Sequence, residues 1–337
     1  WTFAFVAACL VLFGIQRSLG ETGFYPWMKE FVPDAVRGRA QGTATVLGSL
    51  AAGAGMGLVS WLVGNRDALH LGRFGPFQLA YLVFAGAGLL GVLGTSRLPG
   101  GHAPQRARPS AGGSGFARRL TASLRDRRFA AFLLATGILQ GSMVLFAGLM
   151  PLYMNDIVGL AERHVVLLSI AQMGGAVTAG FVCGRAADRY GSRRMLFLLL
   201  GAMAMMPALW AALPLLGVAR TVAAYAAYLL FGTSLVGANI AAIRMMYNSV
   251  VPDAKKTEYL AVRYALVGLV AGTMPLLAGH SVEAFAPLTG KKLLGLPLNP
   301  YLPLFACCAV AWVGCAMIFA RIHDNPRHAA RPSDQTI

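Results

Sequence analysis

Residues 184–194, Gly-Arg-Ala-Ala-Asp-Arg-Tyr-Gly-Ser-Arg-Arg, form a short charged segment between two long apolar ones. Residues 164–183 precede it and residues 195–217 follow it, and neither segment contains Asp, Glu, Lys or Arg. Each holds about the 20 predominantly apolar residues that cross a bilayer as a helix. The sequence therefore predicts two membrane spans joined by a very short hairpin loop at residues 184–194.

Each residue type in this loop has a physical role. Gly184 permits close helix approach, and Gly191 can adopt a backbone conformation with positive φ that a side chain disfavours. Asp188 has ion-pair partners in the loop itself, and the remaining positive charge is left on one membrane face. Those partners are Arg189, Arg193 and Arg194.

The spacing of these residues resembles the signature loop of the major facilitator superfamily, Gly-x-x-x-Asp-Arg-x-Gly-x-Arg-Arg. That family carries the loop between its second and third helices and, often in a weaker form, between its eighth and ninth. Any short cytoplasmic loop tends to be Arg-rich, but here both Gly, the Asp and the Arg pair fall in register between two spans. The resemblance implies an all-α membrane protein built from major-facilitator-type helical bundles.

The composition agrees with a membrane protein. Hydrophobic residues make up 57% of the 337 residues and charged residues only 12%, against roughly 25% charged residues in soluble domains. The net charge of +16 would suggest a nucleic-acid partner in a soluble protein. The five cysteines lie in apolar runs without metal-ligand spacing, so they predict neither a metal site nor a disulfide framework.

Nine segments are predicted to span the membrane. They are residues 1–27, 42–64, 76–94, 129–153, 164–183, 195–216, 221–244, 259–283 and 301–322. The chain accordingly divides into residues 1–95 with three spans, a basic linker at 96–128 with eight arginines, a six-span bundle at 129–322 and a polar tail at 323–337.

The resemblance implies twelve helices, and three spans before the linker with six after it fit helices four to twelve of such a protein. The sequence also begins at Trp1 inside an apolar run, so an N-terminally truncated chain is expected. An internal repeat fits this arrangement: Phe31-Val-Pro-Asp-Ala35 recurs as Val250-Val-Pro-Asp-Ala254, 219 residues later. Such repeats are expected when two halves of a transporter share one plan.

The basic residues are distributed unevenly between the two membrane faces. If the loops alternate sides, twenty Lys and Arg lie on one side and six on the other. This asymmetry predicts that the linker, the signature loop and the C-terminus are cytoplasmic, in a multi-pass protein of the cell (inner) membrane. The excess positive charge is then explained by topology, and no nucleic-acid partner is needed.

Four polar side chains within the spans are candidates for contact with a substrate. Arg17 and Glu21 lie one helical turn apart in the first span, where an ionisable group is costly unless it faces a watery cavity or a partner. Gln140 and Asn239 lie in spans of the C-terminal bundle. Each has a structural alternative, because an ion pair can hold helices together and amides often connect helices by hydrogen bonds.

Two further arginines, Arg244 and Arg263, are expected near cytoplasmic helix ends. We expect them to extend toward the membrane surface or to pair with loop acids, and not to bind substrate.

By resemblance to the family, the signature loop controls conformation. Asp188 would cap the N-terminal end of a helix in the opposite bundle, here the span beginning near Arg39. Arg189, Arg193 and Arg194 would pair with nearby acids. An acidic group at a helix N-terminus is favoured by about 0.3–1 kcal/mol when exposed, so the loop is predicted to form a latch, with Gly184 and Gly191 allowing its geometry.

The predicted function is transport of a small-molecule substrate across a lipid bilayer by alternating access, as a secondary active transporter. The coupling ion, the direction of transport and the substrate stay open. No enzyme, cofactor or metal motif is present in the sequence. The alternative is a relative that does not transport, either a membrane sensor or a degenerate transporter fragment.

Overall fold

The computed structural model describes residues 12, 16, 20, 37–70, 72, 74–97, 124–251, 256–289, 292–293 and 296–322. Most of the first predicted span, most of the basic linker and all of the polar tail lie outside these residues.

Eight long helices make up the described part of the chain. They are α1 (Arg37–Gly64), α2 (Gly75–Thr95), α3 (Arg127–Asp156), α4 (Glu162–Tyr190), α5 (Ser192–Ala212), α6 (Arg220–Met245), α7 (Lys256–Phe285) and α8 (Tyr301–Arg321). Every predicted span after the first coincides with one of them. Short 3-10 turns follow α5 and α7, a π-helical turn at Met246–Val250 ends α6, and a hairpin of two-residue strands, β1 (Lys292–Leu293) and β2 (Leu296–Pro297), precedes α8.

These helices contain seven apolar segments long enough to cross a membrane. One of the seven, Ser192–Met245, includes both α5 and α6, which are joined through the 3-10 turn Leu213–Ala219. The fold is therefore that of an all-α, multi-pass membrane protein. The sequence predicts nine spans. The described residues contain eight long helices, and most of the first predicted span lies outside them.

The predicted loop at residues 184–194 is wrong in extent. Helix α4 continues to Tyr190 and α5 begins at Ser192, so only Gly191 separates the two helices. The physical reason is that residues 185–190 contain charged side chains but no helix breaker, and Arg and Ala are good helix formers. The apolar segment that predicts the span ends at Cys183, whereas the helix continues to Tyr190.

Helices α3 to α8 pack around a common core, and most of its largest fully buried side chains are aromatic. Phe146 of α3 lies at its centre with no exposed surface. Its ring centroid lies 4.8 Å from that of Phe305, 5.0 Å from Trp312, 5.1 Å from Phe231 and 5.6 Å from Trp210. The cluster therefore connects α3 with α5, α6 and α8.

Helix α4 packs differently, because glycines bring its backbone against two neighbours. Gly175 faces α6, where a Cβ atom built on it would lie 2.7 Å from the amide nitrogen of Thr233. Gly180 faces α1, where a built Cβ would lie 2.6 Å from Val46 Cγ2. Helix α4 thus joins the bundle to α1, and α2 packs in turn against α1.

Candidate functional site

Two of the predicted substrate-contacting residues meet in the interior of the bundle. Gln140 lies near the middle of α3, and its Nε2 donates a hydrogen bond to Asn239 Oδ1 on α6 at 2.8 Å. The two residues are 99 positions apart in sequence, and both are half-buried. The structure therefore brings together two side chains that the sequence singles out separately.

The pair retains unused hydrogen-bonding capacity. Asn239 Nδ2 donates to the backbone oxygen of Leu235 at 3.1 Å and lies 3.8 Å from Met143 Sδ. Within the described residues, Gln140 Oε1 accepts no hydrogen bond, and a primary amide has two donors and an acceptor with two lone pairs. Gln140 can consequently bind a further polar group while it remains bonded to Asn239.

The other two predicted substrate contacts, Arg17 and Glu21, lie outside the described residues.

The turn between α4 and α5 has the backbone geometry that its glycine permits. Gly191 has φ of 85° and ψ of 153°, a combination that only glycine adopts readily. Its N–H donates to the Ala187 oxygen at 3.1 Å, which closes the last turn of α4. The predicted positive φ at Gly191 is confirmed.

The predicted latch residues are distributed over both helices. Gly184 is buried within α4, and Asp188 belongs to the last turn of that helix by its backbone. The guanidinium of Arg189 lies 5.4 Å from the centroid of the Tyr190 ring. Arg193 and Arg194 are exposed in the first turn of α5.

A contact that the sequence does not predict connects α6 to this turn. Arg244 Nη1 donates to Ser192 Oγ at 3.0 Å, and Ser192 has no exposed surface. Ser192 immediately follows Gly191 within the signature segment at residues 184–194. This position is the sequence signal that could have identified it as a contact residue. Arg244 thus holds the end of α6 against the start of α5.

Arg263, which was expected to extend toward the membrane surface or to pair with a loop acid, is buried inside the protein. Its exposed fraction is 4%, and its guanidinium carbon lies 5.1 Å from the centroid of the Tyr264 ring. The face of the Tyr264 ring attracts the guanidinium charge of Arg263, which is shielded from water.

The described residues thus form a multi-pass helical bundle with a glycine turn between α4 and α5 and a hydrogen-bonded amide pair in its interior. The sequence matches the Major Facilitator Superfamily over residues 1–275. The chain belongs to this family, whose members are transporters. A comparison with curated proteins gives no match.

Proposed function

We propose that the protein moves a small solute across the cell membrane by alternating access, as a secondary active transporter. The observation that carries this proposal is the family match over residues 1–275 on a multi-pass helical bundle. The hydrogen bond between Gln140 and Asn239, which joins α3 to α6 in the bundle interior, is the candidate place of solute contact. The rival function is a non-transporting sensor, which would bind a solute at the same place without moving it.

The amide pair suits a polar group of the solute. Half-buried amides have lost part of their hydration, so a hydrogen bond to a solute replaces water at a modest cost. The pair carries no charge, and it would therefore recognise a neutral hydroxyl, carbonyl or amide group. Arg17 and Glu21 would provide charged contacts from the first span.

The test is uptake of a panel of small radiolabelled solutes into vesicles that contain the purified protein. We expect at least one solute to accumulate, and Gln140→Leu and Asn239→Leu to raise its KM about tenfold, the equivalent of a lost hydrogen bond of about 1.4 kcal/mol. Gln78→Leu is the matched control, because Gln78 is an exposed amide on α2. Saturable binding without accumulation would favour the sensor.

Helix packing is a separate explanation of the amide pair, and KM, measured beside the thermal midpoint of unfolding, distinguishes it from solute binding. A pair that only connects helices should lower the midpoint when broken and leave KM unchanged. A solute-binding pair should raise KM, whether or not the midpoint also falls. The first result would remove Gln140 and Asn239 from the substrate site.

We further propose that the turn around Gly191 is a latch that closes the cytoplasmic side. Asp188 would cap a helix of the opposite bundle, while Arg189, Arg193 and Arg194 would pair with acids. Arg244, through Ser192, holds the turn to α6. The latch breaks as the two bundles rock against each other.

Asp188→Asn tests the latch because it removes the charge and keeps the shape. We expect a slower transport rate with normal membrane insertion and abundance. Asp67→Asn is the control, since Asp67 is an exposed acid whose side chain lies 3.4 Å from Arg66 Nε. Transport by Asp188→Asn at the normal rate would rule the latch out.

The proposed topology places the linker at residues 96–128 and the tail at residues 323–337 in the cytoplasm, with the helices before and after the linker forming two separate domains. The excess of Lys and Arg on that side supports this orientation. Single cysteines introduced at Ser110 and Ser333 of a cysteine-free protein should react with a membrane-impermeant maleimide only after the membrane is opened. Labelling in intact cells would reverse the orientation.

A further inference from the structure

A groove lies at one end of the bundle, between the beginning of α3 and the end of α8. We call this end, where the linker enters α3, the linker end. Three arginines, Arg127, Arg128 and Arg321, line the groove together with apolar side chains that include Ala131, Leu134 and Ile318. The groove encloses about 600 Å³, within the roughly 300–1,000 Å³ typical of small-molecule sites.

The packing of α3 against α8 brings the arginines together. The ring centroids of Phe132 and Phe319 lie 5.8 Å apart, and Cys315 Sγ donates to the Ala135 oxygen at 3.3 Å. These contacts make the two helices antiparallel, so the first residues of α3 meet the last residue of α8. The three charges therefore lie at the end of two apolar spans, at the level of lipid headgroups.

Within the described residues, no acid pairs with the arginines of the groove. Arg127, Arg128 and Arg321 are exposed, and no acid within the described ranges forms an ion pair with them. Among the described acids, Asp126 is the nearest in sequence to Arg127 and Arg128, but its Oδ1 accepts from the backbone N–H groups of Arg128 and Phe129, and its Oδ2 accepts from Tyr259 OH. Asp126 is thus engaged in capping α3 and contacting α7, and it does not line the groove.

The apolar part of the groove continues onto the outer surface of the bundle. Ala131 and Leu134 lie one to two turns further into the span than Arg127, and Ile318 lies about one turn before Arg321. Leu134 is 57% exposed on a membrane-spanning helix, so it faces lipid. A ligand for the groove must therefore be anionic at one end and apolar at the other.

We propose that this groove binds an anionic phospholipid. The phosphate lies between the three guanidinium groups, which form charge-assisted and bidentate hydrogen bonds with phosphate oxygens. The acyl chains follow Ala131, Leu134 and Ile318 into the bilayer. Basic pockets between spans are the usual sites for acidic headgroups. The inference depends on the membrane location of the chain and not on its proposed transport function.

The experiment is a native mass-spectrometric titration of the full-length, detergent-solubilised protein. The probes are dioctanoyl phosphatidylglycerol, dioctanoyl phosphatidylcholine and glycerol 1-phosphate. We expect phosphatidylglycerol to bind about tenfold or more tightly than the other two. Equal binding of phosphatidylcholine would show a non-selective lipid contact, and equal binding of glycerol 1-phosphate would show a site for soluble anions. Either result overturns the proposal.

Variants assign the binding to the groove. The triple variant Arg127→Gln, Arg128→Gln and Arg321→Gln should bind phosphatidylglycerol about tenfold more weakly or worse. The control replaces Arg66, Arg97 and Arg220 by Gln, which removes the same charge at places that do not line the groove. Equal weakening by both variants would show a general charge effect and contradict the site.

A second approach does not depend on how well the Gln variant folds. Replacing the three groove arginines by Lys keeps the charge but removes the bidentate hydrogen bonds, so phosphatidylglycerol should bind more weakly than to the unmodified protein and still more tightly than phosphatidylcholine. In the unmodified protein, a phosphatidylglycerol with a photoreactive group on its acyl chain should cross-link to peptides that contain Leu134 or Ile318. Cross-links confined to other helices would place the lipid elsewhere and overturn the proposal.

Discussion

The aromatic cluster around Phe146 and the glycine contacts of α4 hold helices together in opposite ways. In the cluster, rings from four helices interdigitate with centroid distances of 4.8–5.6 Å around Phe146. Where α4 meets α6, glycines of both helices bring backbone against backbone: a Cβ built on Gly232 of α6 would lie 2.9 Å from the backbone carbon of Gln172 on α4. One region is fixed by side-chain shape, and the other by the absence of side chains.

This difference indicates which parts of the molecule are able to move. Interlocked rings must leave their rotamers before the helices can slide, and interiors packed in this way transmit displacement as a unit. A small-residue contact gains close van der Waals packing in lipid without interlocking. Since α4 contacts α1 at Gly180, we propose that α1 moves relative to the bundle at that contact, while α3, α5, α6 and α8 move together.

The largest expected effect is that of Phe146→Ala. The unfolded helices stay in lipid, so mainly packing is lost, and we expect a cost near the lower end of the usual range, about 3 kcal/mol. Unfolding in mixed micelles with increasing dodecyl sulfate measures it. Phe181→Ala is the control, because Phe181 is 51% exposed. Equal costs for the two variants would mean that the aromatic cluster does not fix the bundle.

The second prediction is that Gly→Ala lowers the free energy of unfolding at Gly232 and raises it at Gly201. Gly232→Ala places a Cβ 2.9 Å from the backbone carbon of Gln172 and 3.0 Å from its Cα, so α4 and α6 must separate, at a cost of about 2 kcal/mol. Gly201→Ala meets nothing within 4 Å and should stabilise α5 by roughly 0.5–1 kcal/mol. The same unfolding assay measures both. If Gly232→Ala also stabilises, the contact between α4 and α6 is looser than described.

The third prediction concerns the contact of α4 with α1. A Cβ on Gly180 would lie 2.6 Å from Val46 Cγ2, whose β-branched side chain has little rotamer freedom in a helix, and 2.9 Å from the backbone oxygen of Gly42, so α1 and α4 must move slightly apart. We expect Gly180→Ala to lower the free energy of unfolding by about 1 kcal/mol. We also expect it to slow transport by more than the loss of folded protein accounts for. Gly53→Ala, with its nearest neighbour Met173 Sδ at 3.6 Å, is the matched control. Unchanged transport by Gly180→Ala would move the flexible contact elsewhere.

The sequence predicts the helices well because crossing a bilayer imposes length and apolar composition at once. The eight described helices all lie where apolar segments predict them. Their ends are less predictable: α4 runs seven residues beyond the predicted span end at Cys183. Hydropathy reports the membrane boundary, whereas hydrogen bonding and Gly191 set the end of the helix.

The candidate site is only half predictable from the sequence. Gln140 and Asn239 stand out because each is a polar residue inside a span, but their hydrogen bond depends on how α3 and α6 are rotated toward each other. The contact between Arg244 and Ser192 depends likewise on where α6 ends beside α5. Local sequence contains no information on such rotations, since they follow from packing between distant segments.

The smallest expected effect tests whether polar contacts contribute to the aromatic region. Tyr153 OH donates to the backbone oxygen of Trp210 at 2.9 Å, and the tyrosine is buried. In a regular helix that oxygen would accept from the residue four positions later, but this is Pro214, which has no N–H.

Tyr153→Phe removes only this hydroxyl. The N–H of Leu213 still donates to the Trp210 oxygen, so the carbonyl keeps one partner. We therefore expect a cost near the lower end of the range for a buried hydrogen bond, about 0.5 kcal/mol, in the same unfolding assay. Tyr225→Phe, which removes a half-buried hydroxyl 3.2 Å from His164 Nδ1, provides the comparison. A cost for Tyr153→Phe as large as that for Phe146→Ala would show that α3 and α5 are joined by this hydrogen bond and not by ring packing, and the contrast with the glycine contacts of α4 would then no longer hold.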